Sequence, residues 1–90
     1  MHETFANFRQ EALARGYTEA LERRWSPSEV VPQHTHPFDA SALVVEGTMW
    51  LTVDGETRQL RAGDRFEISA EVPHDERYGL EGAMYWVARR

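Results

Sequence analysis

The sequence predicts an all-β fold, a small barrel of short strands with one short N-terminal α-helix, and three observations carry that prediction. After Gly16, apolar segments recur at roughly ten-residue spacing with turn residues between them, the rhythm of a sandwich or barrel. Asp54-Gly55 sits between two alternating segments and is the strongest hairpin signal in the chain. Helical periodicity is confined to the stretch before Gly16, which reads as a single amphipathic helix.

That helix is expected over about residues 3–15. Phe5, Phe8, Ala12 and Leu13 fall on one face and Asn7, Arg9, Gln10 and Glu11 mostly on the other. Thr4 is suited to cap it and Gly16 to end it in a left-handed conformation. Strands follow at Leu21 to Trp25, ended by Ser26-Pro27-Ser28, and at Val30-Val31, broken near Pro32. Ala42 to Val45 is a short apolar run closing at Gly47, after which Met49, Leu51 and Val53 alternate with Thr48, Trp50 and Thr52. Beyond the Asp54-Gly55 turn the return strand is Glu56 to Arg61. Ala62-Gly63-Asp64 turns the chain into Arg65 to Ile68, and Ala83 to Val87 forms a last aromatic strand. About eight short strands in all would close a small barrel with few exposed edges.

Length and composition narrow the function. Ninety residues make one domain, 1–90, and not two. The chain is 41% hydrophobic, but ten of those residues are Ala, so the core is small and a homodimer is expected on stability grounds. With no Cys there is no disulfide, thiolate ligand or thiol nucleophile. The net charge of −5, without a basic stripe, argues against nucleic acid and anionic membrane surfaces as partners. No apolar run approaches a membrane span and the N-terminus has no leader pattern, so a cytoplasmic protein is expected.

Of the four His, His34 and His36 stand out, because residues i and i+2 of an extended strand project from one face and can share a metal ion. Alone, such a pair is more often two unrelated histidines. His2, at the terminus, is not counted as a ligand.

The frame around the pair is more specific. The segment resembles the two motifs of the cupin superfamily, G-x5-H-x-H-x3/4-E-x6-G and G-x5-P-x-G-x2-H-x3-N. His34 and His36 fill the H-x-H and Gly47 the closing glycine of the first motif, over about 28–47. Gly63 opens the second and His74 falls at its histidine, over about 63–78. Ser28, Ser69, Glu71 and Tyr78 depart from the pattern at positions that read as loop or turn. The glutamate position is Ala40, or Ser41 with the alternative spacing, so the usual carboxylate ligand is missing.

The resemblance implies a cupin-type β-barrel, or jelly roll, with a divalent transition metal held by His34, His36 and His74. Three imidazoles suit iron, zinc, nickel or copper, with manganese as a further candidate, and suit magnesium badly. Without a carboxylate the site would carry +2, favouring hydroxide or an anionic ligand at open positions. Asp39 is the first candidate to replace the glutamate, although strand parity turns it away; Glu67 and Glu76 rank lower. Glu46 reads as a turn residue. Phe38, Trp50, Tyr85 and Trp86 are candidate pocket aromatics but fit better as core or interface residues. Trp50, opposite in parity to Met49 and Leu51, is the one expected at an interface. Arg77 and Tyr78 read as a solvated surface pair before an anion site. No nucleophile elbow or phosphate loop is present, and no catalytic residue is assigned.

The expected function is to bind or transform a small molecule, an anionic one among the candidates, with an analogy to cupin dioxygenases that hold iron by three His. The alternative is a non-catalytic binding or sensor cupin acting through a protein partner. A purely structural role for three converging His ranks last, since each ring nitrogen would need a partner.

Overall fold

The structure, a computed structural model, describes residues 3–90; His2 lies outside them. One helix, α1 (Phe5–Ala14), precedes six strands: β1 (Glu19–Trp25), β2 (Val30–His34), β3 (Ala40–Val53), β4 (Glu56–Arg61), β5 (Arg65–Ile68) and β6 (His74–Arg89). All pairings are antiparallel. β3 and β6 lie side by side over their length. On its free edge β6 takes β1 along its second half and β2 along its first; β3 takes β5 and then β4 in the same way. The result is the expected antiparallel jelly roll, with six strands where the sequence predicts about eight.

The difference lies at the glycines. By sequence Gly47 ends a strand, yet β3 continues through it. The register of β3 on β6 shifts between Val44 and Glu46 and again between Gly47 and Met49. Before these bulges Ala40, Ala42 and Val44 enter the core, and after them Met49 and Leu51 do. An inserted residue is what moves the inward set from even to odd numbers. β6 makes the same exchange, from Tyr78 to Ala83, Tyr85 and Val87, across the segment from Gly79 to Gly82. The corner is packed backbone on backbone. A Cβ on Gly47 (φ +78) would stand 2.1 Å from the Gly82 carbonyl oxygen, and one on Gly82 (φ +70) 2.4 Å from that of Trp25. Only glycine fits both the left-handed backbone and the space.

Two hydrophobic layers result. The barrel interior holds Val44, Met49, Leu51, Leu60, Phe66, Ile68, Tyr78 and Tyr85 among others. Outside it, α1 lays Phe8 and Ala12 over Leu43, Trp86 and Ala88, with Phe5 edge-on to Trp86 at 5.7 Å. β3 is therefore buried on both faces from Ala40 to Val44. The helix begins and ends as expected. Asn7 donates its backbone N–H to Thr4 Oγ1 at 3.1 Å. Gly16 is left-handed at φ 96, and the N–H groups of Gly16 and Tyr17 reach the Leu13 and Ala12 carbonyls, a Schellman end whose apolar contact is Tyr17 on Ala12. Leu13, placed on the apolar face by sequence, is exposed; the packed stripe is Phe5, Phe8 and Ala12, and Leu13 falls beside it. Among the described residues no helix is long and apolar enough to cross a membrane.

Candidate metal centre

β2 and β6 bring the three predicted histidines together. His34 and His74 are direct partners across the β2–β6 ladder, so their side chains leave the same face, with ring centroids 4.3 Å apart. His36 lies just past the end of β2 and not on it. Its ring is held there by stacking on Phe38 at 4.2 Å, nearly coplanar, and its carbonyl accepts the Glu71 N–H at 2.8 Å, which ties this loop to the one preceding His74. One ring nitrogen from each of the three can be chosen so that all lie within 4.8 Å of one another.

Which nitrogen faces inward follows from the other one. Nδ1 of His34 contacts the Pro32 carbonyl at 2.9 Å, Nδ1 of His36 that of Phe38 at 3.3 Å, and Nδ1 of His74 that of Val72 at 2.9 Å. A carbonyl only accepts, so each Nδ1 carries the proton and each neutral ring keeps its Nε2 lone pair free. No Nε2 of the three has a hydrogen-bond partner among the described residues. Burial, followed by the two neighbouring histidines, pushes His36 below the ordinary imidazole range, which favours the neutral ligand form. Three fixed tautomers with convergent lone pairs are what a nitrogen-binding divalent metal requires. A structural trio would instead spend these atoms on protein partners.

The rings open into a cavity of about 100 Å³. Trp25, Phe38, Phe66, Ile68 and Val87 give it an apolar wall, Ala40 lines it, and Arg23 and Arg89 stand at its edge. Arg89 lies over Phe38 at 4.7 Å, on the ring that supports His36, and pairs with Glu19. Arg23 lies over Trp25 at 5.0 Å.

Among the carboxylates, the one the sequence ranks low is the one the fold brings to the histidines. Glu76 is 5% exposed and sets Oε2 3.8 Å from His34 Nε2 and 4.0 Å from His74 Nε2. Its Oε1 accepts from the Tyr78 hydroxyl and, at 3.4 Å, from that of Tyr85. Burial, aided by neighbouring charge, pushes both tyrosines above their ordinary range, so both stay protonated and donate. Asp39, the first candidate by sequence, points away: its carboxylate accepts the Ala70 N–H at 2.8 Å and an Arg90 N–H at 3.4 Å. The Ala70 N–H, with Arg90 adding to it, holds that carboxyl below the usual carboxylate range. Glu67 is on the outer face with Ser41 and Arg15. Glu46 is outside too, paired with Arg24.

The aromatic expectations divide. Phe38 and Tyr85 line the cavity, while Trp86 packs under α1. Trp50 is on the outer sheet face beneath Arg77, at 4.6 Å. Tyr78, which the sequence places in a solvated pair, is 2% exposed and stacks on Trp25 at 5.1 Å; it is neither surface nor turn, because it sits mid-strand on the inward face of β6. Of the other motif departures, Ser28 and Glu71 stand where the motifs have glycine and both keep the glycine geometry, at φ 57 and φ 65.

A jelly roll with a three-His cluster at an open pocket is the class of barrel that the fold and site define. The Cupin domain model of the Cupin_2 family matches residues 22–88, and the chain belongs to the cupin family. No curated protein matches it. Among solved structures it is similar to KdgF from Halomonas sp., with 23% identity and TM-score 0.68 over 80% of this chain and 68% of that one. The DMSP lyase DddQ from Ruegeria pomeroyi DSS-3 gives 23% identity and TM-score 0.74 over 80% of this chain and 37% of the lyase. The polyketide cyclase RemF from Streptomyces resistomycificus gives 27% identity and TM-score 0.69 over 79% of this chain and 53% of the cyclase. The chain thus spans well under two thirds of the lyase and the cyclase.

Proposed function

We propose that this chain is a metal-binding cupin that binds or transforms a small molecule at a centre formed by His34, His36 and His74. The observation that carries this is the common orientation of the three imidazoles, each with Nδ1 committed to a backbone carbonyl and Nε2 left for a metal. A divalent transition metal held there supplies Lewis acidity and, where the metal is iron, redox chemistry. The residues supply the rest. Apolar residues form most of the wall, the cavity suits a small ligand, and Arg23 offers positive charge to an anionic one, Arg89 being paired with Glu19. At about 100 Å³ the cavity is far below the roughly 300–1,000 Å³ of sites for drug-sized ligands.

The three-His dioxygenase is the enzymatic form of this reading. Iron-loaded protein should consume O2 with one of a panel of small diketones, thiols and phenols; no consumption with any of them refutes that form. A second reading, a non-catalytic binding or sensor domain, is favoured by the largely apolar wall. The two separate on metal dependence. In cobalt-loaded protein, small anions such as azide and acetate should change the visible spectrum if the centre is open to ligands. An unchanged spectrum, with small apolar ligands bound equally by metal-free protein, supports the sensor.

We also read the chain as a homodimer, since its core is small and Val30 and Leu80, 65% and 88% exposed, flank Trp50 on the outer sheet face.

A further inference from the structure

We infer that Glu76 is the fourth ligand of the centre, a carboxylate supplied by β6 in place of the one that Ala40 cannot provide. The inference rests on the metal-centre reading above and extends it to a residue outside the three-histidine set. Glu76 lies two residues beyond His74 on the same strand, and alternation sends both side chains to the same face of the sheet. His34 pairs directly with His74 across the ladder. The carboxylate is thereby set beside two of the three imidazoles without any loop having to fold inward.

Distances to two of the three histidines are close to those the assignment requires. Ligand atoms bonded at about 2.1 Å to one ion lie about 3.0 Å apart in an octahedral centre, which keeps positions open beyond four protein ligands, and about 3.4 Å apart in a tetrahedral one. Glu76 Oε2 is 3.8 Å from His34 Nε2 and 4.0 Å from His74 Nε2 but stands outside the 4.8 Å grouping of the three histidines, so on binding the ion the carboxylate and His36 must close on one another by about 1 Å or more. The two oxygens are divided in role. Oε1 is pinned by the Tyr78 and Tyr85 hydroxyls, which fixes the plane of the carboxylate and leaves Oε2 for the ion. A carboxylate 5% exposed, with no Arg against it among the described residues, is costly to bury without a cation; a metal supplies one. At the conventional position Ala40 lines the cavity with only a methyl group. The carboxylate has changed strands, and a divalent ion bound by all four residues carries a net +1 and not +2.

Zinc affinity, measured by competition with a chromophoric chelator, and a crystal structure of the wild-type protein grown with zinc test this together. Glu76→Gln should weaken zinc binding by about 100-fold or more, at the upper end of or beyond the roughly 10–100-fold typical of outer-shell changes. Adding Ala40→Glu to that variant should recover most of the loss. In the zinc-bound wild type, Oε2 should lie within about 2.2 Å of the metal. Unchanged affinity in a folded Glu76→Gln variant overturns the inference. So does a zinc bound by the three histidines with Oε2 beyond about 3 Å, a result that leaves the metal centre standing. Wild-type protein that takes up no zinc overturns both. The crystal structure decides the matter if Glu76→Gln fails to fold.

Discussion

Replacing Gly47 by Ala should be far more damaging than making the same change at Gly55, although both residues have φ +78. The left-handed backbone alone costs an L residue about 1–2 kcal/mol. At Gly55 that is the whole penalty, because a Cβ there meets nothing within 4 Å. At Gly47 the new Cβ would lie 2.1 Å from the Gly82 carbonyl oxygen and 2.8 Å from Ala83 Cα. These are backbone atoms and cannot rotate away, so β3 and β6 must separate. Overpacking of this kind adds about 1–3 kcal/mol or more, giving about 2–5 kcal/mol in total. A domain of this size has roughly 5–13 kcal/mol of stability, so the loss is a large fraction of it. Urea denaturation of the metal-free proteins at one fixed concentration compares the variants directly. Equal midpoints for Gly47→Ala and Gly55→Ala would refute the close packing of the two corners.

Glu71→Gly should stabilise the protein by about 0.5–1 kcal/mol, since a left-handed residue is relieved at an exposed position; for a domain of this length that raises Tm by roughly 2–8 °C, and a lower Tm would count against the strained turn. The pH dependence of the metal-free protein should carry a contribution from His36. Its folded pKa lies below its ordinary value because burial disfavours the imidazolium, so as pH falls the unfolded chain takes up the proton first. That contribution is complete above about pH 6.5 and declines as pH drops below it. His36→Gln should flatten that part of the curve in urea titrations at several pH values, and an unaltered curve would contradict it. Leu80→Glu, on the exposed outer face, should weaken self-association by about tenfold or more in sedimentation equilibrium while leaving the metal content unchanged; a wild-type monomer would dismiss the dimer.

The fold is legible where local rules decide it. Thr4, Gly16 and Asp54-Gly55 act through their nearest neighbours, so the helix ends and the hairpin follow from residue type. The strand count does not, because whether Gly47 breaks a strand or bulges it depends on β6, thirty-odd residues away in sequence. Leu13 is misplaced by sequence because a stripe of a few apolar residues leaves the helix rotation loose until Trp86 and Leu43 fix it.

At the site, spacing alone groups His34, His36 and His74, but the chain is extended only through the first of the pair; Phe38 and Glu71 do the rest for His36. Glu76 ranks below Asp39 by sequence, yet a signal for it is present. His74 and Glu76 stand two apart, the same spacing that singles out His34 and His36, and parity on β6 places both inward. The vacant first-motif position points instead to its neighbour Asp39, which the Ala70 N–H and Arg90 hold on the outside. Tyr78 reads as a turn residue because the strand it belongs to, β6, begins at His74, earlier than its aromatic end suggests.

Elemental analysis by mass spectrometry of untagged protein purified without chelator, beside a variant carrying His34→Ala, His36→Ala and His74→Ala, tests the metal centre most directly. A centre at these residues requires about one transition-metal ion per chain in the wild type, either as purified or after reconstitution, and its loss in the folded variant. Wild-type protein that holds no metal and takes none up, or a variant that retains it, would contradict the centre and leave a ligand-binding barrel.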